Sequence, residues 1–254
     1  MAHQNFRHPE ILEIARRDGK VTVEDLARRF GVTLQTIRRD LSELADGGRL
    51  ERVHGGAVVP SGVSNIAYEE RRALNAIAKD AMARACAACI PDDASVFLNI
   101  GTSTEAVARA LLDHRNLLVV TNNLNVAQTL SANPHCETIV TGGRLRAADG
   151  GLVGAEAATA IGRYKLDIAI IGCSAIDGDG DMLDFDPDEV AVSRAIIAQA
   201  RKVFLVADAS KFRRLAPARI GNLAGIDRLF TDARLGPSLA RLSAREGIDV
   251  QVTG

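Results

Sequence analysis

Apolar positions recur at helical spacing in three short blocks near the N-terminus, then give way to aliphatic runs alternating with amphipathic stretches. In the first block Ile11, Leu12, Ile14 and Ala15 make one side of a helix over residues 9–17, with Pro9 in its first turn and Gly19 at its end. Val23, Leu26, Ala27 and Phe30 repeat at i, i+3, i+4 and i+7 behind Thr22, an N-cap residue with Asp25 three positions on. Gly31 suits the left-handed C-cap of a sharp turn, and Thr33 caps the next helix. That third helix turns Leu34, Ile37, Leu41 and Leu44 inward and presents Gln35, Thr36, Arg38, Arg39 and Ser42 outward, until Gly47-Gly48 stops it. Over residues 49–59 two strand-like runs flank Gly55-Gly56, which predicts a hairpin. Helix, turn, helix and hairpin make a winged helix-turn-helix domain over residues 1–59.

Residues 60–67 carry Pro, Ser and Gly without periodicity and predict a linker. A helix rich in Ala and charge then runs over residues 68–90, ended by Pro91-Asp92-Asp93. Beyond it, strand-like runs at residues 95–100, 117–121, 138–141, 167–172, 203–207, 229–231 and 248–252 alternate with helical segments at 104–112, 125–132, 156–164, 189–201 and 238–246. Continuous aliphatic strands separated by helices predict a parallel sheet covered on both faces. The fold class is α/β, with residues 68–254 as a sensing domain behind the winged helix.

A helix-turn-helix places its second helix in the major groove of duplex DNA. Thr33, Gln35, Thr36, Arg38 and Arg39 are the side chains left for that groove, and Arg52 and His54 stand on the wing, within reach of backbone or minor groove. Which of Arg38 and Arg39 reads a base stays open. Bulk charge does not decide the matter: residues 1–59 hold ten Lys and Arg against nine Asp and Glu, and the remainder 21 against 23. Any DNA contact therefore depends on local placement of arginine. One short reading helix covers few bases, so a homo-oligomer, dimer or tetramer, on paired half-sites is expected.

In open α/β sheets ligands bind beyond the carboxyl ends of the strands. Small polar residues gather there: Gly101-Thr102-Ser103-Thr104 after the first strand, Asn122-Asn123 after the second, Gly142-Gly143-Arg144 after the third, Gly172-Cys173-Ser174 after the fourth, and Asp208 to Lys211 after the fifth. Gly101 to Thr104 open a helix, whose free N–H groups favour an anion such as phosphate, and Arg144 and Lys211 add positive charge. Each loop alone also reads as a cap, a tight turn or an exposed lysine. Together they predict a site for a phosphorylated small molecule, formed by Gly101, Thr102, Ser103, Thr104, Asn122, Asn123, Gly143, Arg144 and Lys211.

The acidic stretch Asp177, Asp179, Asp181, Asp184, Asp186 and Glu189 offers bases for an isomerase or ligands for Ca²⁺, but Met182-Leu183 interrupts any calcium loop. These read as turn residues, with contacts to sugar hydroxyls as a further option. Cys86-Ala-Ala-Cys89 has metal-pair spacing, yet no second pair or neighbouring His completes a zinc site, so buried thiols are expected and no metal, cofactor or catalytic residue. No apolar run is long enough to span a bilayer, and residues 1–9 lack a signal core. A cytoplasmic protein with no membrane partner is the expectation.

Val21-Thr22-Val23-Glu24-Asp25-Leu26-Ala27, Thr36-Ile37-Arg38-Arg39-Asp40-Leu41 and His54-Gly55-Gly56-Ala57 resemble the N-terminal signature of the DeoR family of bacterial repressors. Ala15 departs from it, standing where that family usually has a larger aliphatic. The strand-end pattern likewise resembles the DeoR sensor domain, which is similar in fold to ribose-5-phosphate isomerase. Thr121 to Ala127, Asp149 to Gly154, Leu183 to Asp186 and Glu189-Val190 with Ile196-Ile197 resemble a branch governing glycerol metabolism. The resemblance implies a repressor released by glycerol 3-phosphate. The alternative is a sugar-phosphate isomerase-like enzyme with an appended DNA-binding domain, although an isomerase has no use for a winged helix.

Overall fold

The computed structural model describes residues 7–18, 20–59 and 68–254, without the side chains of 16 and 17. Gly19 and the expected linker over residues 60–67 lie outside the described residues. The chain divides into two compact units, Met1–Gly62 with Glu69–Leu74, and Val63–Tyr68 with Asn75–Gly254.

In the first unit the order is α1 (Arg7–Asp18), β1 (Lys20–Thr22), α2 (Val23–Phe30), α3 (Leu34–Asp46), β2 (Glu51–Val53) and β3 (Gly56–Val58). The helices start and stop where capping chemistry dictates. The Thr22 hydroxyl accepts from the Asp25 amide at 3.1 Å, Gly31 closes α2 at φ 62°, and the Thr33 hydroxyl accepts from the Thr36 amide at 3.2 Å. Ile11, Leu26, Ile37, Leu41 and Leu44 fill the core between the three helices. Leu34, expected inward, is 44% exposed. It opens α3 at the turn, one helical turn before the first buried residue, Ile37, so no neighbouring helix covers it. Asp40 takes an inward place instead, held by the Arg7 guanidinium at 2.7 and 3.1 Å. The wing also gains a strand that the sequence pattern hides. β1 pairs antiparallel with β3, giving the order β1-β3-β2, and Gly56 sits where a Cβ would overlap the Val21 carbonyl.

The segment read as one helix over residues 68–90 is two, α4 (Tyr68–Ala73) and α5 (Ala76–Ala87). Asn75 separates them in the left-handed conformation at φ 54°, a position asparagine tolerates better than most residues, and its amide donates to Asp208 at 3.0 Å.

The second unit is a three-layer sandwich. Its sheet strands are β4 (Ser95–Leu98), β5 (Leu117–Thr121), β6 (Cys136–Val140), β9 (Leu166–Ile171), β12 (Ala200–Val206), β14 (Arg228–Thr231) and β15 (Asp249–Val252), in the order β15-β14-β12-β9-β4-β5-β6. All six pairings are parallel. The intervening helices are α6 (Thr102–Ala110), α7 (Leu124–Leu130), α8 (Ala155–Ile161), α9 (Pro187–Gln199) and α10 (Pro237–Glu246). Strand side chains alternate between two cores: Leu98, Ile170 and Phe204 face α5, α6 and α7, while Phe97, Ile171 and Leu205 face α8, α9 and α10. Short antiparallel pieces fill the loops, namely β7 (Arg144–Arg146) with β8 (Gly151–Val153), and β10 (Ala175–Ile176) with β11 (Asp181–Asp184) and β13 (Ala218–Asn222). From β4 the chain builds outward through β5 and β6, then returns to the other side at β9. The carboxyl ends of β4 and β9 are therefore the switch point at which such sheets bind ligands.

Candidate functional sites

On α3, Gln35 and Arg38 are exposed, and Arg38 has no ion-pair partner among the described residues. Arg39 is also exposed but pairs with Glu43 one turn on, at 2.9 Å. The hydroxyls of Thr33 and Thr36 bond each other at 2.9 Å within the cap. From the wing, Arg52 donates to the Arg38 carbonyl at 3.1 Å. Burial, and then the Arg38 charge, push the Arg52 pKa down, so part of this side chain braces β2 against α3. His54 lies exposed in the turn between β2 and β3. His8, Asp40 and Glu43 converge, but Arg7 already covers both Asp40 oxygens, and its own pKa rises through that bond.

At the switch point of this sheet the sequence-expected residues divide into those with groups left without a partner and those consumed by the fold. Gly101, at φ 145°, leads into α6, whose first-turn amides at Thr102, Ser103 and Thr104 have no acceptor within the helix. The Thr104 hydroxyl turns back onto the Asn99 and Gly101 carbonyls, both at 2.7 Å, and is fully buried. Asn123 caps α7 through the Asn125 amide at 2.9 Å and donates to Glu105 at 3.1 Å. Asn122 donates to the Leu152 carbonyl at 3.1 Å, while its buried Oδ1 has no partner. Gly143 packs close over Ala157, and Arg144 is exposed and paired with Asp188 at 2.6 Å.

Lys211 lies in a 3-10 turn capped by Asp208, at the carboxyl end of β12. Asp208 is buried and accepts from Asn75 and, at 3.0 Å, from the Ser210 amide. Burial works against its charge, yet Lys211, Ser210 and Lys79 together hold its pKa below the usual carboxylate range. Lys79, from α5, is only 4% exposed. Neither Lys79 nor Glu105 stood out in the sequence. A lysine on the apolar face of α5 was the available signal, because such a position is costly without a nearby anion.

The acidic stretch is committed to structure. Asp184 accepts from the Ser174 hydroxyl at 3.1 Å and the Phe185 amide at 2.7 Å, and Asp186 caps α9. Asp177 closes its own turn by accepting from the Asp179 and Asp181 amides. All four cysteines are free; burial pushes the Cys86 thiol up and the Cys173 thiol up to about 12. A cavity of about 830 Å³ opens at the opposite, amino-terminal edge of the sheet beside Ser95, Arg115, His135 and Asp167, and contains none of the strand-end loops.

The pattern of the DeoR-like helix-turn-helix domain matches residues 7–63, and that of the DeoR C-terminal sensor domain matches residues 74–233. The chain belongs to the DeoR family. Among curated DeoR relatives it is 45% identical to the glycerol-3-phosphate regulon repressor of Escherichia coli (strain K12), over 91% of each chain. It is 44% identical to the repressor of the same name from Haemophilus influenzae, over 90% of this chain and 89% of that one. The HTH-type transcriptional repressor CsqR of Escherichia coli (strain K12) is 40% identical, over 90% of this chain and 87% of that one. Among solved structures, ribose 5-phosphate isomerase A from Methanocaldococcus jannaschii overlaps 54% of this chain and 55% of its own, at 12% identity and a TM-score of 0.41, too distant to bear on chemistry. This DeoR-family protein is a DNA-binding transcription regulator with a sensor domain, not an enzyme. No helix among the described residues is long and apolar enough to cross a membrane.

Proposed function

We propose that this regulator represses genes of carbohydrate or glycerol metabolism and leaves its operator when a phosphorylated metabolite, glycerol 3-phosphate in the first instance, binds the sensor. The observation that carries the reading is the convergence at one sheet edge of the free first-turn amides of α6 with Lys211 and the buried Lys79. Amides and two lysines suit a phosphate dianion. Gly101, Thr102 and Ser103 cradle it, Thr104 and Asn123 hold the loops in shape, and the unpartnered Asn122 Oδ1 is available to a hydroxyl. The relatives' printed names, glycerol-3-phosphate regulon repressor, support the choice of effector. Gly143 and Arg144 form the outer rim of the site. A cytoplasmic location accords with DNA as the partner.

For the DNA contact we assign Arg38 and Gln35 to the major groove, with Thr33, Thr36 and Arg39 on phosphates. Arg52 positions the wing and His54 touches the backbone. Two copies on adjacent half-sites place their reading helices about 34 Å apart, one turn of DNA.

Coupling runs through α4. Its two flanks are anchored in the sensor: the Tyr68 hydroxyl donates to Glu105 at 2.8 Å, and Asn75 donates to Asp208 at 3.0 Å. The residues between them, Glu69–Leu74, group with the DNA-binding unit. A phosphate that draws Lys211 and Lys79 away from Asp208 loosens the Asn75 anchor, and a coupling of about 1–3 kcal/mol suffices for a useful switch. The test is a gel-shift titration of the chain on its upstream DNA with glycerol 3-phosphate, glycerol and inorganic phosphate. Release by glycerol 3-phosphate, lost in Lys211→Ala with operator binding intact, is expected; unchanged affinity at saturating effector refutes the reading.

A further inference from the structure

Helix α5 combines a buried side with an outward side on which Ile77, Arg84 and Ala88 are exposed. Ile77, in its first turn, is 87% exposed. A lone exposed isoleucine means little, but this one stands on the same helix as a groove. That groove, about 530 Å³, runs between α5 and α6 on a floor that includes Ala83, Ala87, Ala88 and Ala110. Its rim carries Asp80, Arg84, Arg109 and Asp113, two charges of each sign. Ile77, Ala81, Arg84 and Ala88 fall at i, i+4, i+7 and i+11, one face of a helix.

A surface with an apolar knob at one end, a hollow at the other and both signs of charge between them complements a copy of itself turned by a two-fold axis. We propose that this face is a homodimer contact, in which two α5 helices pack antiparallel. Ile77 seats in the alanine-floored groove beside the partner's Ala88, and Asp80 faces the partner's Arg84. Alanines on the floor let the two backbones approach closely. The ion pair that Asp80 makes with Arg109 at 3.2 Å is half exposed on both sides, so exchanging it for one across the interface costs little. The contact rests on the reading of the protein as a homo-oligomer and says which face builds it.

Ile77 and Ala88 lie eleven residues apart along the helix, about 16 Å at 1.5 Å per residue, well beyond the roughly 7 Å that a disulfide spans between Cα atoms. With Cys89, the half-buried native thiol next to Ala88, replaced by Ser, a disulfide between the thiols introduced by Ile77→Cys and Ala88→Cys must therefore join two chains. Mild oxidation of the full-length chain is expected to yield covalent dimer from the variant carrying both and only the background of Cys89→Ser from either one alone. In sedimentation, Ile77→Asp, at an already exposed position, weakens dimerisation about tenfold or more. Asp80→Arg and Arg84→Asp each weaken it, and together restore it. Cross-linking of the double variant no better than the singles overturns the contact. A dimer indifferent to Ile77→Asp overturns it too while leaving the homo-oligomer reading intact, whereas a chain monomeric at all concentrations removes both.

Discussion

Arg146 holds a loop beside the proposed effector site, and replacing it with Met removes one cation from three carboxylates. Its guanidinium donates to Asp149 at 2.9 and 2.7 Å, to Asp186 at 2.8 Å and to Glu189 at 2.6 Å. These bonds tie the β7–β8 hairpin to the start of α9, and the hairpin in turn is pinned to Asn122 by the Leu152 amide at 2.7 Å. Burial opposes charge on Arg146, but Asp149 and Glu189 more than offset it and its pKa rises. Asp149 is 3% exposed, so the variant takes the cation away from a buried carboxylate. Breaking a buried pair by removing one partner costs roughly 3–5 kcal/mol. Because Asp186 keeps access to water, the lower end applies, about 3 kcal/mol. For a chain of this size that lowers Tm by roughly 6–12 °C. The assay is urea denaturation with calorimetry, and Arg146→Lys, which keeps one charge without the fork, should recover part of the loss. The sign with pH follows from the lost cation. Removing it destabilises the ionised carboxylates it faces, so the deficit against wild type is largest near pH 7, where they are charged. It narrows as pH falls toward the ordinary carboxylate range, about 4. A deficit below about 1 kcal/mol, or one that does not narrow in acid, refutes the reasoning.

Arg38→Ala should weaken operator binding by about 1–3 kcal/mol and relax specificity. Arg39→Ala should cost less, because Arg39 must first leave Glu43; equal losses by fluorescence anisotropy would contradict that order. Gly56→Ala puts a methyl group into the Val21 carbonyl and should separate β1 from β3, lowering Tm and abolishing operator binding, whereas an unchanged Tm rejects the close approach. Iodoacetamide at pH 8 followed by mass spectrometry should leave Cys86 and Cys173 unlabelled until the chain is denatured, since burial holds both thiols protonated; rapid labelling of either rejects their burial. Tyr68→Phe keeps the ring but removes the bond to Glu105, and should change the effector concentration needed for release while operator affinity without effector stays put.

Elements with strong periodicity were legible. All seven aliphatic runs are strands of one parallel sheet, and the caps at Thr22, Gly31 and Thr33 act as their residue types require. What escaped depends on distant partners. β1 is three residues long and exists because β3 lies beside it, and the short strands β7, β8, β10, β11 and β13 have too few residues to show a period. The break at Asn75 hides in a run of good helix formers, since its cause is Asp208, 133 residues on. Separation along the chain likewise concealed the attraction between Lys79 and Asp208 and the bonds of Glu105 to Tyr68, Asn123 and Asn125. Loop composition picked out the carboxyl-terminal edge of the sheet but did not separate groups left without a partner from those bonded into the frame. Thr104 and Asn123 look alike in sequence to the other small polar residues of these loops, and only their bonds assign them to the frame.

Under the proposed function a phosphorylated metabolite at the switch point controls DNA occupancy. The most direct test of this control is operator affinity by anisotropy, with and without glycerol 3-phosphate, in wild type and in Lys211→Ala. The expected result is a drop in wild-type affinity of about 5- to 150-fold, the range of a 1–3 kcal/mol coupling, and no drop in the variant. Equal drops in both proteins, or none in wild type across phosphorylated three- to six-carbon metabolites, would contradict it.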